Sequence, residues 1–119
     1  MHRLSRPRYA ALLVAAVAAC YPLRTPAAPQ PAIDIQAPAA GATLQARDQN
    51  VLRYSVTGAH QGDYVHVIID GVEVGILRHL KGSYTMETLA PGHHRICVGV
   101  VSRAHRPVGK RTCVRVNVH

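Results

Sequence analysis

The run from Tyr64 to Leu77, YVHVIIDGVEVGIL, constrains this chain more than any other stretch. Val65, Val67 and Ile69 alternate with Tyr64, His66, Ile68 and Asp70, and a period of two reads as a strand. Asp70-Gly71 is a strong hairpin signal because both residues accept positive φ. Val72, Val74 and Ile76 resume the alternation on the return strand. Branched side chains on both faces of the first strand mark it as buried on both sides, as a central strand is.

Other segments fit around that hairpin. Residues 32–38 read as an edge strand ended by Pro38, and 39–43 as a turn. Asn50 to Thr57 is a strand, followed by a loop over Gly58–Asp63. Arg78–Gly82 is a polar connection, Ser83–Leu89 a strand, and Ala90-Pro91-Gly92 a corner. His93–Val101 and Lys110–Val118 form the last pair. Seven short strands without helical periodicity predict an all-β, antiparallel two-sheet sandwich.

The composition makes its core unusual. The chain has no Phe and no Trp, so Val, Ile and Leu must fill the interior, with Tyr54 and Tyr84 as its largest residues. A sandwich of this size is marginal without reinforcement. Cys97 and Cys113 fall on the polar faces of neighbouring antiparallel strands, opposite each other. A disulfide there would contribute about 3 kcal/mol. A redox or metal-binding thiol pair is the alternative, and no CxxC spacing supports it.

Three motifs carry a family resemblance. Pro38…Gly41-Ala42, the VHVIIDG stretch (65–71) and the LAPGHHRICV corner (89–98) resemble bacterial Ig-like domains over residues 32–118. In that pattern a histidine follows one residue after the glycine, here His94. The resemblance implies an Ig-like, seven-stranded β-sandwich. It says little about function, because such domains serve as spacers, adhesins and enzyme appendages. The strand is also similar to exported domains carrying HxHVxxDG, but Tyr64 replaces their first histidine, so no ligand role carries over.

The N-terminus supplies an address. Arg3, Arg6 and Arg8 precede an apolar run, Tyr9–Ala19, too short to span a bilayer as a helix. Val17-Ala18-Ala19-Cys20 resembles the lipobox of bacterial lipoproteins, which implies a signal peptide over 1–19 and lipidation of Cys20. Ordinary cleavage after Ala19 is the alternative. Residues 20–31 form a Pro/Ala-rich tether of roughly 3 Å per residue, and 32–119 the domain. By the same resemblance, Tyr21 rather than Asp after the cysteine implies delivery to the outer membrane, at its periplasmic face. Removing the three signal arginines leaves +5 of the formal +8 charge, which favours anionic partners. Nucleic acid is not expected, since no basic helix or RNA-binding motif occurs.

An Ig-like strand order brings Gly58–Asp63, Arg78–Gly82 and Ser102–Gly109 to one end, from which the tether also leaves. Arg78, Lys81, Arg103, Arg106 and Lys110 gather there. The expectation is an anion-binding tip facing an anionic lipid, a glycan or an envelope protein. A second reading uses His60, His79 and His105 as ligands for Cu or Zn, although the cations oppose it. A solvated polar rim is a third. At the other end His93, His94, Asp70, Glu87 and His119 become neighbours, and a carboxylate–histidine pair there would fix a turn. His66, alone among aliphatic residues, reads as a hydrogen-bonded structural residue. No GxSxG elbow, HExxH helix or carboxylate pair occurs, so the expectation is a protein without catalytic residues, not an enzyme.

Overall fold

A computed structural model describes residues 29–119. The signal segment (1–19), Cys20 and most of the tether lie outside the described residues. The strands are β1 (Ala32–Ala37), β2 (Thr43–Leu44), β3 (Val51–Thr57) and β4 (Tyr64–Ile69). They continue with β5 (Val72–Leu77), β6 (Lys81–Thr85), β7 (Gly92–Val101) and β8 (Pro107–Val118). One sheet has the order β1-β3-β6 and the other β2-β8-β7-β4-β5. β4 is interior to its sheet, between β7 and β5, as its doubly apolar pattern requires.

Eight strands form rather than seven. The addition, β2, begins on the last residue of the stretch read as a turn and pairs in parallel with the end of β8. After Pro38 the chain leaves the three-stranded sheet, and Gly41 N–H donates to the Arg115 carbonyl at 2.7 Å. Leu44 and His119 continue the pairing. Two residues carry no period, so this strand has no signature in sequence. β6 is also displaced: it covers Lys81–Thr85, not Ser83–Leu89. Lys81 and Gly82 are poor strand formers, yet their ladder partners Ser55 and Tyr54 draw them in.

The core is built from inward residues of both sheets. Leu52, Tyr54 and Val56 of β3 meet Val65, Val67 and Ile69 of β4 and Ile96, Val98 and Val100 of β7. Tyr54 is buried as expected, whereas Tyr84 is only half-buried. Met86, just after β6, is fully buried and supplies bulk where no Phe or Trp exists.

A bulge interrupts the central hairpin. Val67 faces Gly75 but Ile68 faces Glu73, so Val74 is an extra residue on β5. Val72 and Ile76 therefore do not share a face, contrary to the simple alternation: Ile76 pairs with outward His66 and Val72 with inward Ile69. Gly75 lies beneath the ring of Tyr84, whose hydroxyl donates to the Val74 carbonyl at 3.0 Å. That contact joins the outer strand of one sheet to the outer strand of the other. Cys97 and Cys113 pair across β7 and β8 and form the disulfide that the face pattern predicts.

Candidate functional site

Three connections converge at one end of the sandwich, and each is fixed by local hydrogen bonds. In the β3–β4 loop, Asp63 N–H donates to the His60 carbonyl and His60 N–H donates to the Asp63 carboxylate, both at 3.0 Å. The Asp63 side chain is 8% exposed, while that of His60 is 77% exposed. Gly62 adopts φ 90°, and its missing side chain leaves room for Arg103, whose guanidinium lies against it.

The β7–β8 turn closes through Ser102 N–H to the Arg106 carbonyl and His105 N–H to the Ser102 carbonyl, each at 2.9 Å. His105 sits at φ 59° and its Nδ1 is hydrogen-bonded to the Tyr64 hydroxyl. The β5–β6 connection is held by its backbone. Val56 N–H donates to the Leu80 carbonyl and the Tyr54 hydroxyl to the His79 carbonyl, both at 2.7 Å.

These loops enclose an open cavity of about 810 Å³. Its floor is Ala59 and Leu80, which pack on the hydrophobic core. Tyr64 and Ile76 line it from β4 and β5. Arg78 and Arg103 enter from separate loops, with His60 and His105 beside them. Asp63 is the one carboxylate in the lining, and it is already turned to its own loop. Among the described residues no ion pair engages Arg78 or Arg103.

The sequence-derived candidates separate here. Arg78 and Arg103 line the cavity, whereas Lys81, Arg106 and Lys110 do not. Lys81 opens β6, Arg106 ends the β7–β8 turn and Lys110 lies within β8. The three-histidine metal site does not assemble. His60 and His105 share the cavity but His79 does not, and no group of three metal-ligating residues forms among the described residues. The physical reason is that His79 belongs to a segment held by its backbone carbonyl against the Tyr54 hydroxyl and is not part of the cavity lining. Tyr64 and Ile76 were missed as cavity residues. Only the outward parity of each, next to a loop, could have indicated them.

A smaller pocket of about 140 Å³ lies on the outer face, between His66, Glu73 and Pro107. The His66 ring packs over Gly99, where any Cβ would collide with it. Burial pulls its pKa below the usual imidazole value, with Glu73 opposing and Arg111 reinforcing. Packing, rather than the expected hydrogen bond, positions this side chain.

At the opposite end Asp70 occupies the hairpin turn at φ 52°. Its carboxylate accepts from Arg95 N–H at 2.9 Å and meets His94 Nδ1 at 2.5 Å. His94 Nε2 contacts the Ala90 carbonyl at 2.6 Å. Both ring nitrogens thus face acceptors, an arrangement that the imidazolium satisfies in full. The hydrogen bond to Asp70, then that to Ala90, raises the His94 pKa. Burial works to raise that of Asp70, but the Arg95 N–H and His94 outweigh it and the net shift is downward. The pair ties the hairpin to the β6–β7 corner.

No protein family matches this sequence, and no curated protein matches it. Solved structures do. The fibronectin(III)-like modules of Clostridium thermocellum CbhA superpose with a TM-score of 0.62 at 16% identity, covering 75% of this chain and 46% of that one. A Jonesia denitrificans lytic polysaccharide monooxygenase superposes with a TM-score of 0.52 at 16% identity, covering 69% of this chain and 60% of that one. The chain therefore spans about half the length of these two solved chains. The likeness establishes the fold, a fibronectin(III)-like β-sandwich. It also overturns the expectation that this is not an enzyme. A solved enzyme carries a similar sandwich, so missing helix- and elbow-borne motifs exclude nothing when sites are grafted on loops.

Proposed function

We propose that this chain is an exported, lipid-anchored envelope protein that binds an anionic group between Arg78 and Arg103. The observation that carries the reading is that two arginines from separate loops line one cavity, with its single carboxylate already engaged. Guanidinium forks match carboxylate and phosphate oxygens in pairs, which favours those groups over halide-like ions.

The address rests on sequence. The resemblance of Val17–Cys20 to a lipobox supports a lipid on Cys20, and the Cys97–Cys113 bridge suits an oxidising compartment. Gln30 and Pro31 lie beside Gly58 and Gly109, so the tether joins the domain at the cavity end. A chain anchored in the outer membrane would turn this end toward the lipid that holds it, or toward the glycan or envelope protein beside it.

The test is retention of the purified chain on vesicles of phosphatidylglycerol mixed with phosphatidylcholine. Arg78→Glu/Arg103→Glu is expected to weaken salt-sensitive retention at least tenfold, while Lys110→Glu changes it little. Unchanged retention by the double variant would remove the reading.

A further inference from the structure

We infer that the cavity takes an amphipathic anion, an alkyl chain ending in a carboxylate or phosphate, and not a small hydrophilic ion. The inference rests on the proposed role of Arg78 and Arg103 and specifies what lies between and beyond them.

Three observations point the same way. First, the cavity that Arg78 and Arg103 line has an apolar side, Ala59 and Leu80, which pack against the hydrophobic core. A small hydrated anion would lose water over that side and receive nothing from it. An alkyl segment would gain from the same contact.

Second, the apolar surface does not stop at the cavity. Val72, Val74 and Ile76 are 63%, 42% and 55% exposed, three of the four exposed large hydrophobic residues among those described. All three lie on β5, the outer strand of its sheet, and Ile76 lines the cavity itself. Ile76, on the outward face of β5, thus carries exposed apolar surface at the cavity itself, while Val72 lies on the other face of the strand.

Third, this sheet edge is poorly suited to a peptide strand. Val74 is the bulged residue, and its carbonyl already accepts the Tyr84 hydroxyl. An added strand would meet an irregular ladder with one acceptor taken. An alkyl chain needs no backbone partners. The cavity volume of about 810 Å³ is that of sites for compact organic ligands.

Calorimetric or NMR titration of the full chain with acetate, hexanoate, octanoate and decanoate, all as monomers, tests the inference. Octyl phosphate and octanol serve as head-group controls. Affinity should rise with length by up to about fourfold per methylene, the gain for complete burial. Octanol should bind at least tenfold more weakly than octanoate. Ile76→Asn, at an exposed position, should flatten the length dependence, and Arg78→Glu/Arg103→Glu should weaken every anion. Acetate binding as tightly as decanoate would overturn this inference alone and leave the anion site standing. Failure of every anion would overturn the anion site as well. Binding to phosphatidylglycerol vesicles without binding to monomeric decanoate would replace the alkyl-holding cavity with a charged surface laid on a bilayer.

Discussion

Replacing Gly75 by alanine probes how the two sheets are joined along their open side. An alanine Cβ would stand 2.9 Å from Cε2 of Tyr84, 3.0 Å from Cζ and 3.3 Å from its hydroxyl oxygen. Ordinary contact begins at 3.4 Å, so the ring must retreat by 0.5 Å or more. That movement strains or breaks the Tyr84 hydroxyl bond to the Val74 carbonyl, worth about 1 kcal/mol. Overfilling a packed contact costs a further ~1–3 kcal/mol. Alanine also restricts the unfolded chain, which returns about 0.4–1 kcal/mol, and Gly75 has no positive φ to forbid it. The net expectation is a loss of about 1–3 kcal/mol. In a Tyr84→Ala background the obstacle is gone, and the same substitution should be neutral or stabilising by up to about 1 kcal/mol. Urea unfolding followed by far-UV circular dichroism gives all four corners of the cycle, provided the m value is constant. An equal cost for Gly75→Ala in both backgrounds would refute the proposed contact.

Two further outcomes follow from the opposite end and the outer face. His94 has a raised pKa, so its contribution is complete below the unfolded value of ~6.5 and is lost as pH rises through the higher folded value. Asp70 has a lowered pKa, so its contribution is present above ~3.9 and is lost as pH falls through the lower folded value. The difference in urea midpoint between the wild type and Asp70→Asn should therefore peak between those pH values and shrink on both sides; a constant difference contradicts the ion pair. Reducing the Cys97–Cys113 bridge, which spans 16 residues, should cost about 3 kcal/mol in the same assay. Identical midpoints with and without reductant would show that the bridge adds nothing.

Legibility followed periodicity. β3, β4 and β7 announce themselves because alternating aliphatic residues on a half-buried surface have one register that works. The disulfide was legible for the same reason, since parity placed both cysteines on one face. β2 and the displaced β6 were not, because tertiary partners rather than their own residues hold them in place. The cavity was half legible. Loop membership located Arg78 and Arg103, but no spacing says which of five clustered cations turns inward. The room for Arg103 depends on the lack of a side chain at Gly62, a three-dimensional coincidence with no linear trace. The metal reading failed because sharing an end of the fold is a weaker condition than sharing a coordination sphere.

The bulge at Val74 has an effect on company as well as on shape. A sheet border bearing valine and isoleucine is ordinarily an invitation to polymerise, each molecule templating the next. Here the step in the border is uneven and one of its oxygens is held by a tyrosine from the other layer. The protein can leave that greasy margin open to something small and flexible while offering little purchase to a second copy of itself.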